Sequence, residues 1–229
     1  MTTDPTPAPA AGTWLHNPVT GEIGHVDLVE DGGRRIAFDL WLQPGAALAR
    51  PHIHDHAVER FTVREGEVGF QLDGRERVAH QGDETVEVPA GTLHDWWNAG
   101  SGIARVRCEV VAADGAPGRP PARVLAMIVT AWSLAVLGRV NAQGVPEPLW
   151  LATIAREYRD AIRVVTPPAV VQAVLFGPLA AIARRRGRDP FAPDVHGPTA
   201  ACVLPDPGED GLAALLAQPV GARAARGRS

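Results

Sequence analysis

The chain has 229 residues, a formal net charge of −4 and a pI near 6.1, and 45% of its residues are hydrophobic. This length fits one domain of ordinary size, alone or with an appendage, and the apolar content excludes a globally disordered chain. The mild acidity argues against a general nucleic-acid binder and against a polybasic membrane protein.

The cysteines and the first residues bear on the compartment. Cys108 and Cys202 lie far apart and form neither a disulfide framework nor a metal-binding spacing, which fits a reducing environment. The opening stretch, MTTDPTPAPA, lacks the basic start and the apolar run of a secretory signal. We therefore expect a cytoplasmic protein.

The first half of the chain is predicted to be a flexible tail followed by β-strands. Residues 1–13 are rich in Pro, Ala and Thr and have little apolar surface to bury. Over residues 14–111, short runs rich in Val, Ile, Phe and Trp are separated by turn signals such as Asp73-Gly74. Many short strands at this spacing predict a β-sandwich or a closed barrel.

The second half changes in composition and is predicted to be helical. Residues 112–122 form a Pro/Gly-rich linker, residues 123–187 hold three helical stretches, and residues 188–229 are expected to be loose. The first helix has only about 15 apolar residues in a row, whereas a bilayer core requires about 20. Burial against the barrel, the other helices or a second subunit is favoured, and membrane contact is the weaker alternative. The stretches are Arg123–Arg139, Leu149–Val165, and a third from an N-cap at Thr166 to Gly187.

The most informative stretch is PGAALARPHIHDHAVERFTVREGEV, residues 44–68. His52 and His54 are two residues apart, so on a strand both side chains point to one face. Glu59 follows a short turn and begins the next strand, and Gly66 supplies a further turn. His56 lies in the turn and is expected to face solvent.

A second stretch, QGDETVEVPAGTLHDWWNAG, spans residues 81–100 and places His94 directly after a Pro-Ala-Gly turn. The two stretches resemble the two cupin motifs, G-x(5)-H-x-H-x(3,4)-E-x(6)-G and G-x(5)-P-x-G-x(2)-H-x(3)-N. Each stretch departs from its motif by one additional residue, before His52 in the first and before Pro89 in the second.

This resemblance implies a mainly β fold, the double-stranded β-helix or jelly-roll barrel of cupins, followed by a helical C-terminal extension. It also implies one bound divalent transition metal ion. Three imidazoles and one carboxylate suit Fe, Mn, Ni, Cu or Zn better than Ca or Mg, which prefer all-oxygen shells. The sequence does not select among these five metals, and it indicates no organic cofactor. The implied ligands are His52, His54, Glu59 and His94.

Several further side chains are candidates for a substrate pocket beside the metal. Trp96 is in phase with His94 on the same strand, so it is expected to face the same side. The alternative for the aromatic residues is that they simply fill the barrel. The pocket candidates are Trp41, Phe61, Phe70, Trp96 and Asn98.

These features predict a metal-dependent enzyme that acts on a small organic, metal-chelating substrate. One mechanism inserts O₂, as in cupin dioxygenases; the other is an isomerase, lyase or cyclase reaction in which Glu59 moves protons as the catalytic residue. A non-catalytic small-molecule-binding cupin and an interfacial protein for lipid-like substrates are the rival interpretations. We expect a homodimer formed through the outer sheet, and no nucleic-acid partner, because the helices lack a basic recognition face.

Overall fold

The computed structural model describes residues 9–47, 51–118, 120–165, 168–218 and 220. Most of the predicted flexible tail and the predicted N-cap Thr166 lie outside these residues. Twelve strands and four α-helices are present in the described part of the chain. The mainly β fold with helices in the C-terminal region, predicted from the sequence, is confirmed.

The strands of the first half run from Trp14 to Ala112, and the last two lie among the helices. Where a strand has one face toward the core, burial alternates along it, as in β5 and β10. The strands are β1 Trp14–Asn17, β2 Glu22–Glu30, β3 Arg35–Leu42, β4 His52–Ile53, β5 Ala57–Glu65, β6 Glu67–Leu72, β7 Arg75–His80, β8 Val86–Val88, β9 His94–Asn98, β10 Ala104–Ala112, β11 Arg163–Val164 and β12 Val203–Leu204.

These strands form two antiparallel sheets. The larger sheet has the order β12-β1-β2-β3-β10-β5-β8, and the smaller has the order β11-β4-β9-β6-β7. Apolar side chains of both sheets share one core, in which the ring of Phe61 on β5 lies 5.4 Å from that of Phe70 on β6. The sheets therefore face each other across a common interior.

A tight turn connects β6 to β7. On its other side β6 pairs with β9, and one pair of facing residues is packed very closely. Asp73 and Gly74 have φ values of 47° and 81°, as a two-residue hairpin turn requires. Gly69 on β6 lies opposite Trp97 on β9, and a Cβ at Gly69 would come within 2.5 Å of the Trp97 ring. Glycine is thus the residue that lets the indole lie across this strand.

The helices begin and end differently from the sequence prediction. Pro120 and Pro121 open α1 inside the predicted linker, because the first turn of a helix needs no backbone donors there. The second helix ends at Glu157 and is followed by the short strand β11. No helix in the described ranges is long and apolar enough to cross a bilayer. The helices are α1 Pro120–Val136, α2 Pro148–Glu157, α3 Ala169–Arg185 and α4 Gly208–Leu216.

The C-terminal region is joined to both sheets. Strand β12 pairs with β1 at one edge of the larger sheet, and β11 pairs with β4 at one edge of the smaller sheet. Val195 and Cys202 are almost fully buried and belong to the same core as α1. The structure therefore differs from the prediction of a loose segment from residue 188: β12 pairs with β1, α4 follows it, and apolar residues between the prolines and glycines pack into the core.

Candidate metal centre

Four buried side chains with metal-ligating atoms meet between the two sheets. Strand β4 carries His52 and is followed directly by His54, while Glu59 lies on β5 of the larger sheet. His94 begins β9 and is the cross-strand partner of His52. The relative exposure of these residues is between 2% and 5%. Within the described ranges they form one group, whose ligand atoms all lie within 4.8 Å of one another: His52, His54, Glu59 and His94.

The distances between neighbouring donors suit a single ion. His52 Nε2 lies 3.1 Å from His54 Nε2, and His54 Nε2 lies 3.4 Å from Glu59 Oε1. His94 Nε2 lies 2.8 Å from Glu59 Oε2. Metal bonds of about 2.1 Å place neighbouring donors about 3 to 3.5 Å apart in an octahedral or tetrahedral shell. The spacing of this group therefore fits a first-row transition metal.

Backbone carbonyls determine which nitrogen of two of the imidazoles is free to bind. His54 Nδ1 lies 2.5 Å from the Ala161 carbonyl oxygen, and His94 Nδ1 lies 3.0 Å from that of Thr92. A carbonyl oxygen can only accept, so in both rings Nδ1 carries the proton and donates it. The Nε2 lone pairs are then directed at the centre of the group, which is the arrangement that orients metal-bound histidines.

The electrostatics of the pair formed by Glu59 and His94 also favour a cation. Burial opposes ionisation of Glu59, but the surrounding imidazoles of His54, His94 and His52 outweigh it and lower its pKa to about 2. Burial likewise opposes a charge on His94, yet Glu59 raises the pKa of that imidazole. Glu59 Oε2 and His94 Nε2 are buried, and neither makes a hydrogen bond of good geometry. Two lone pairs that face each other at 2.8 Å need a positive charge between them, so the residues fit the implied metal.

A cavity of about 60 Å³ opens beside three of the donors, His52, His54 and Glu59. Its remaining lining is apolar apart from one thiol and comes from the two sheets and the C-terminal region. Burial raises the pKa of the Cys108 thiol well above its usual range, which keeps that group neutral. The other lining residues are Phe38, Trp96, Val124, Met127, Ile128, Ala131, Trp132 and Ile162.

Of the five predicted pocket residues, the structure brings only Trp96 to this cavity. Phe61 lies behind Trp96, with ring centroids 4.9 Å apart, and Phe70 packs on Phe61. Trp41 stacks on Trp14 on the other face of β3, where the Arg105 guanidinium lies 4.8 Å from its ring.

Asn98 does not line the cavity, and its side chain hydrogen-bonds to backbone groups. Its amide nitrogen donates to the carbonyls of Leu42 and Gly102, and its Oδ1 accepts from the Gly100 N–H. These bonds hold the loop before β10. His56 is not part of the metal-ligating group.

Sequence reasoning missed the part of the cavity wall that α1 contributes. Met127, Ile128 and Trp132 belong to a helix that is apolar nearly all round, which indicates burial but does not say against what. Ile162 lies on the apolar stripe of the predicted second helix, which likewise indicates burial without its partner; in the structure it follows the end of α2. The helical region thus forms part of the wall of the cavity beside the candidate metal centre. This placement depends on tertiary packing, so the sequence alone does not predict it.

Residues 40–111 match a family model described as "Cupin domain". A curated protein, "Probable oxidoreductase virH" of Hypocrea virens (strain Gv29-8 / FGSC 10586), is 38% identical over 47 residues, which is 20% of this chain and 22% of that protein. The chain therefore matches only about a fifth of the length of that relative.

Solved cupin structures are similar to part of the chain. An RmlC-like cupin from Shewanella frigidimarina NCIMB 400 has 19% identity and a TM-score of 0.38, and the match covers 49% of this chain and 95% of that one. The cupin domain of Schizosaccharomyces pombe Cnp3 has 15% identity and a TM-score of 0.37, with 40% of this chain and 65% of that one covered. Residues 40–111 hold all four donors within the two facing sheets, and this part of the chain is a cupin domain.

Proposed function

We propose that this chain is a metal-dependent enzyme that oxidises a small organic, metal-chelating substrate with O₂. One divalent transition metal ion would be held by His52, His54, Glu59 and His94; for the oxygenase it would be redox-active, such as iron, manganese, nickel or copper, because zinc has no redox chemistry. The observation that carries the proposal is that the four-donor group adjoins a small, mainly apolar cavity.

The cavity lining favours apolar reactants of small size. Phe38 and Trp96 of the barrel face the apolar residues of α1 across it, so a substrate would bind with its oxygen atoms toward the donors and its apolar part toward these rings. The volume of about 60 Å³ is well below the roughly 300 Å³ at which ordinary ligand pockets begin. We infer a substrate with few heavy atoms beyond its chelating group.

The side chains around the site suit oxidation better than proton transfer. A bound metal would supply a Lewis acid and, for a redox-active ion, an electron route to O₂. Glu59 is itself one of the four donors, so a carboxylate that holds the metal would not be free to accept a proton from the substrate. This favours the oxygenase over the isomerase, lyase or cyclase reaction, in which Glu59 would have to accept a proton. The match to a curated oxidoreductase over 47 residues agrees in broad class.

The first experiment measures metal content after purification without oxygen. Wild type is compared with His94→Ala and with the matched control His56→Ala, which removes a half-buried imidazole outside the group. We expect about one metal ion per chain in wild type and in His56→Ala, and a loss of most of it in His94→Ala. Equal metal content in all three proteins would contradict the assignment of His94 and its neighbours as metal ligands.

The second experiment measures O₂ uptake by the iron-loaded protein with small chelators such as catechols, diketones and 2-oxo acids. Binding of each chelator is recorded separately by titration. Ala131→Trp, which fills the cavity from α1, should abolish uptake while leaving metal content unchanged. If chelators bind but none causes O₂ uptake, the oxygenase proposal is wrong. The result would then favour an isomerase, lyase or cyclase, or a non-catalytic binding protein.

A further inference from the structure

The strand that carries His52 is short and depends on a neighbour from the C-terminal region. Strand β4 has two residues, and its pairing with β9 is limited to His52 opposite His94. On its other side β4 pairs with β11, with Arg163 opposite Ile53 and Val164 opposite His52. The C-terminal region thus provides half of the strand contacts that hold His52 in the sheet.

An ion pair connects the same segment to the turn after His54. The Arg163 guanidinium donates through Nε and Nη2 to the two carboxylate oxygens of Asp55, at 2.9 and 2.8 Å. Parallel two-point pairing of this kind defines both distance and orientation. Since Asp55 directly follows His54, the bond restrains the backbone that carries the second histidine.

A third contact reaches the imidazole of His54 itself. The Ala161 carbonyl accepts from His54 Nδ1 at 2.5 Å, and Ile162 lines the cavity. The segment is in turn tied to the helices, because the N–H groups of Ala161 and Ile162 both donate to the Tyr158 carbonyl. Arg123 on α1 also pairs with Asp160 at 2.6 Å.

We propose that residues 161–164 are a positioning segment for the metal centre: they hold His52 and His54 in the geometry and tautomer that metal binding requires. The inference rests on the proposed metal binding and goes beyond it, because it assigns part of the metal site to the C-terminal extension. Without the Ala161 carbonyl, the His54 ring loses the partner that keeps its Nε2 lone pair toward the other donors. Without Arg163, the backbone around Asp55 and His54 is less restrained.

The test compares metal affinity in Arg163→Ala, Asp55→Asn and the control Arg139→Ala. Arg139 forms a similarly exposed ion pair with Glu147 at 3.7 Å, remote in sequence from the donors. Dissociation constants for Co²⁺ and Zn²⁺ are measured by competition with a chelator, and the visible absorption of the Co²⁺ protein reports on donor geometry. We expect both variants at the Arg163–Asp55 pair to bind about tenfold more weakly, with an altered Co²⁺ spectrum.

Thermal melting of the metal-free proteins separates positioning from stability. Exposed ion pairs contribute little to stability, so the metal-free variants should melt close to wild type and close to Arg139→Ala. If the Arg163 and Asp55 variants keep wild-type affinity and the wild-type Co²⁺ spectrum, the positioning role is wrong, while the metal centre stands. If wild type itself binds neither ion, the proposed function fails and the inference fails with it.

Discussion

At the scale of single residues, the four candidate metal ligands could be predicted from the sequence, but the backbone group that orients one of them could not. His52, His54, Glu59 and His94 stand at spacings that a strand, a turn and a Pro-Ala-Gly loop convert into one group, within 4.8 Å in the structure. The Ala161 carbonyl could not be foreseen, because every residue has a carbonyl and only the tertiary fold selects one. Phe61 and Phe70 were sensible pocket candidates, but alternation on a strand does not distinguish a cavity wall from the core behind it.

The opposite pKa shifts of Glu59 and His94 predict how pH affects the metal-free protein. Glu59 has its pKa lowered from 4.5 to about 2, so its stabilising effect is present above pH 4.5 and is lost as the pH falls toward 2. His94 has its pKa raised from 6.5, so its effect is present below pH 6.5 and is lost as the pH rises through the raised value. Melting temperature should therefore be highest between these limits.

The measurement is thermal melting of the metal-free protein across pH 3 to 9, beside Glu59→Gln. The variant retains the shape of the side chain but not its charge. Its melting temperature should therefore change less with pH, both at acidic and at alkaline pH. Profiles of the same form in both proteins would contradict the assigned coupling between Glu59 and His94.

Secondary-structure elements were predictable where they were long and regular. The strands of the barrel show alternating burial, and α1 was identified from its apolar composition. Strands β11 and β12 have two residues each, too few to show any alternation, and each exists only because a partner strand lies beside it. The second helix ends at Glu157, earlier than predicted, and the residues after it contact His54 through the Ala161 carbonyl and pair with β4 through β11.

The close packing of Gly69 on β6 against Trp97 on β9 predicts that a larger residue at position 69 destabilises the protein. Gly69→Ala places a methyl group within 2.5 Å of the Trp97 ring, so the indole or the strand has to move. We expect a loss of about 1–3 kcal/mol in the free energy of unfolding, measured by urea denaturation. Gly102→Ala is the control, because an added Cβ there meets nothing within 4 Å. Equal stability of the two variants would show that Trp97 is not packed as described.

The molecule as a whole has a core that the barrel and the helical region share. Buried residues of β5, β10, α1 and α2 belong to one cluster, together with Val195 and Cys202. The sequence predicted separate segments after residue 111 because composition shifts are visible there, whereas packing between distant segments is not. The homodimer, the cytoplasmic location and the absence of a nucleic-acid partner stay predictions, since neither the fold nor the domain match bears on them.

This shared core predicts one cooperative unfolding transition for the barrel and the helices. Leu125→Ala removes a side chain of α1 that is 1% exposed and should lower the free energy of unfolding by about 2–5 kcal/mol. The exposed Val136 of the same helix provides the control Val136→Ala. Hydrogen exchange should show that β5 and β10 lose protection together with α1 in the Leu125 variant. Unchanged protection of the barrel strands would mean that the two parts unfold independently.

The hydrogen bond from His54 to Ala161 has a consequence for the order of events in the cell. It joins residues 107 positions apart, and the other three donors are synthesised before Ala161. Chains grow at about 5–20 residues per second, so all four donors emerge on the order of seconds before the segment that orients two of them. If residues 161–164 position His52 and His54 as proposed, an ion that arrives during synthesis would meet a site without this segment, and selection among competing metals would fall to the completed chain.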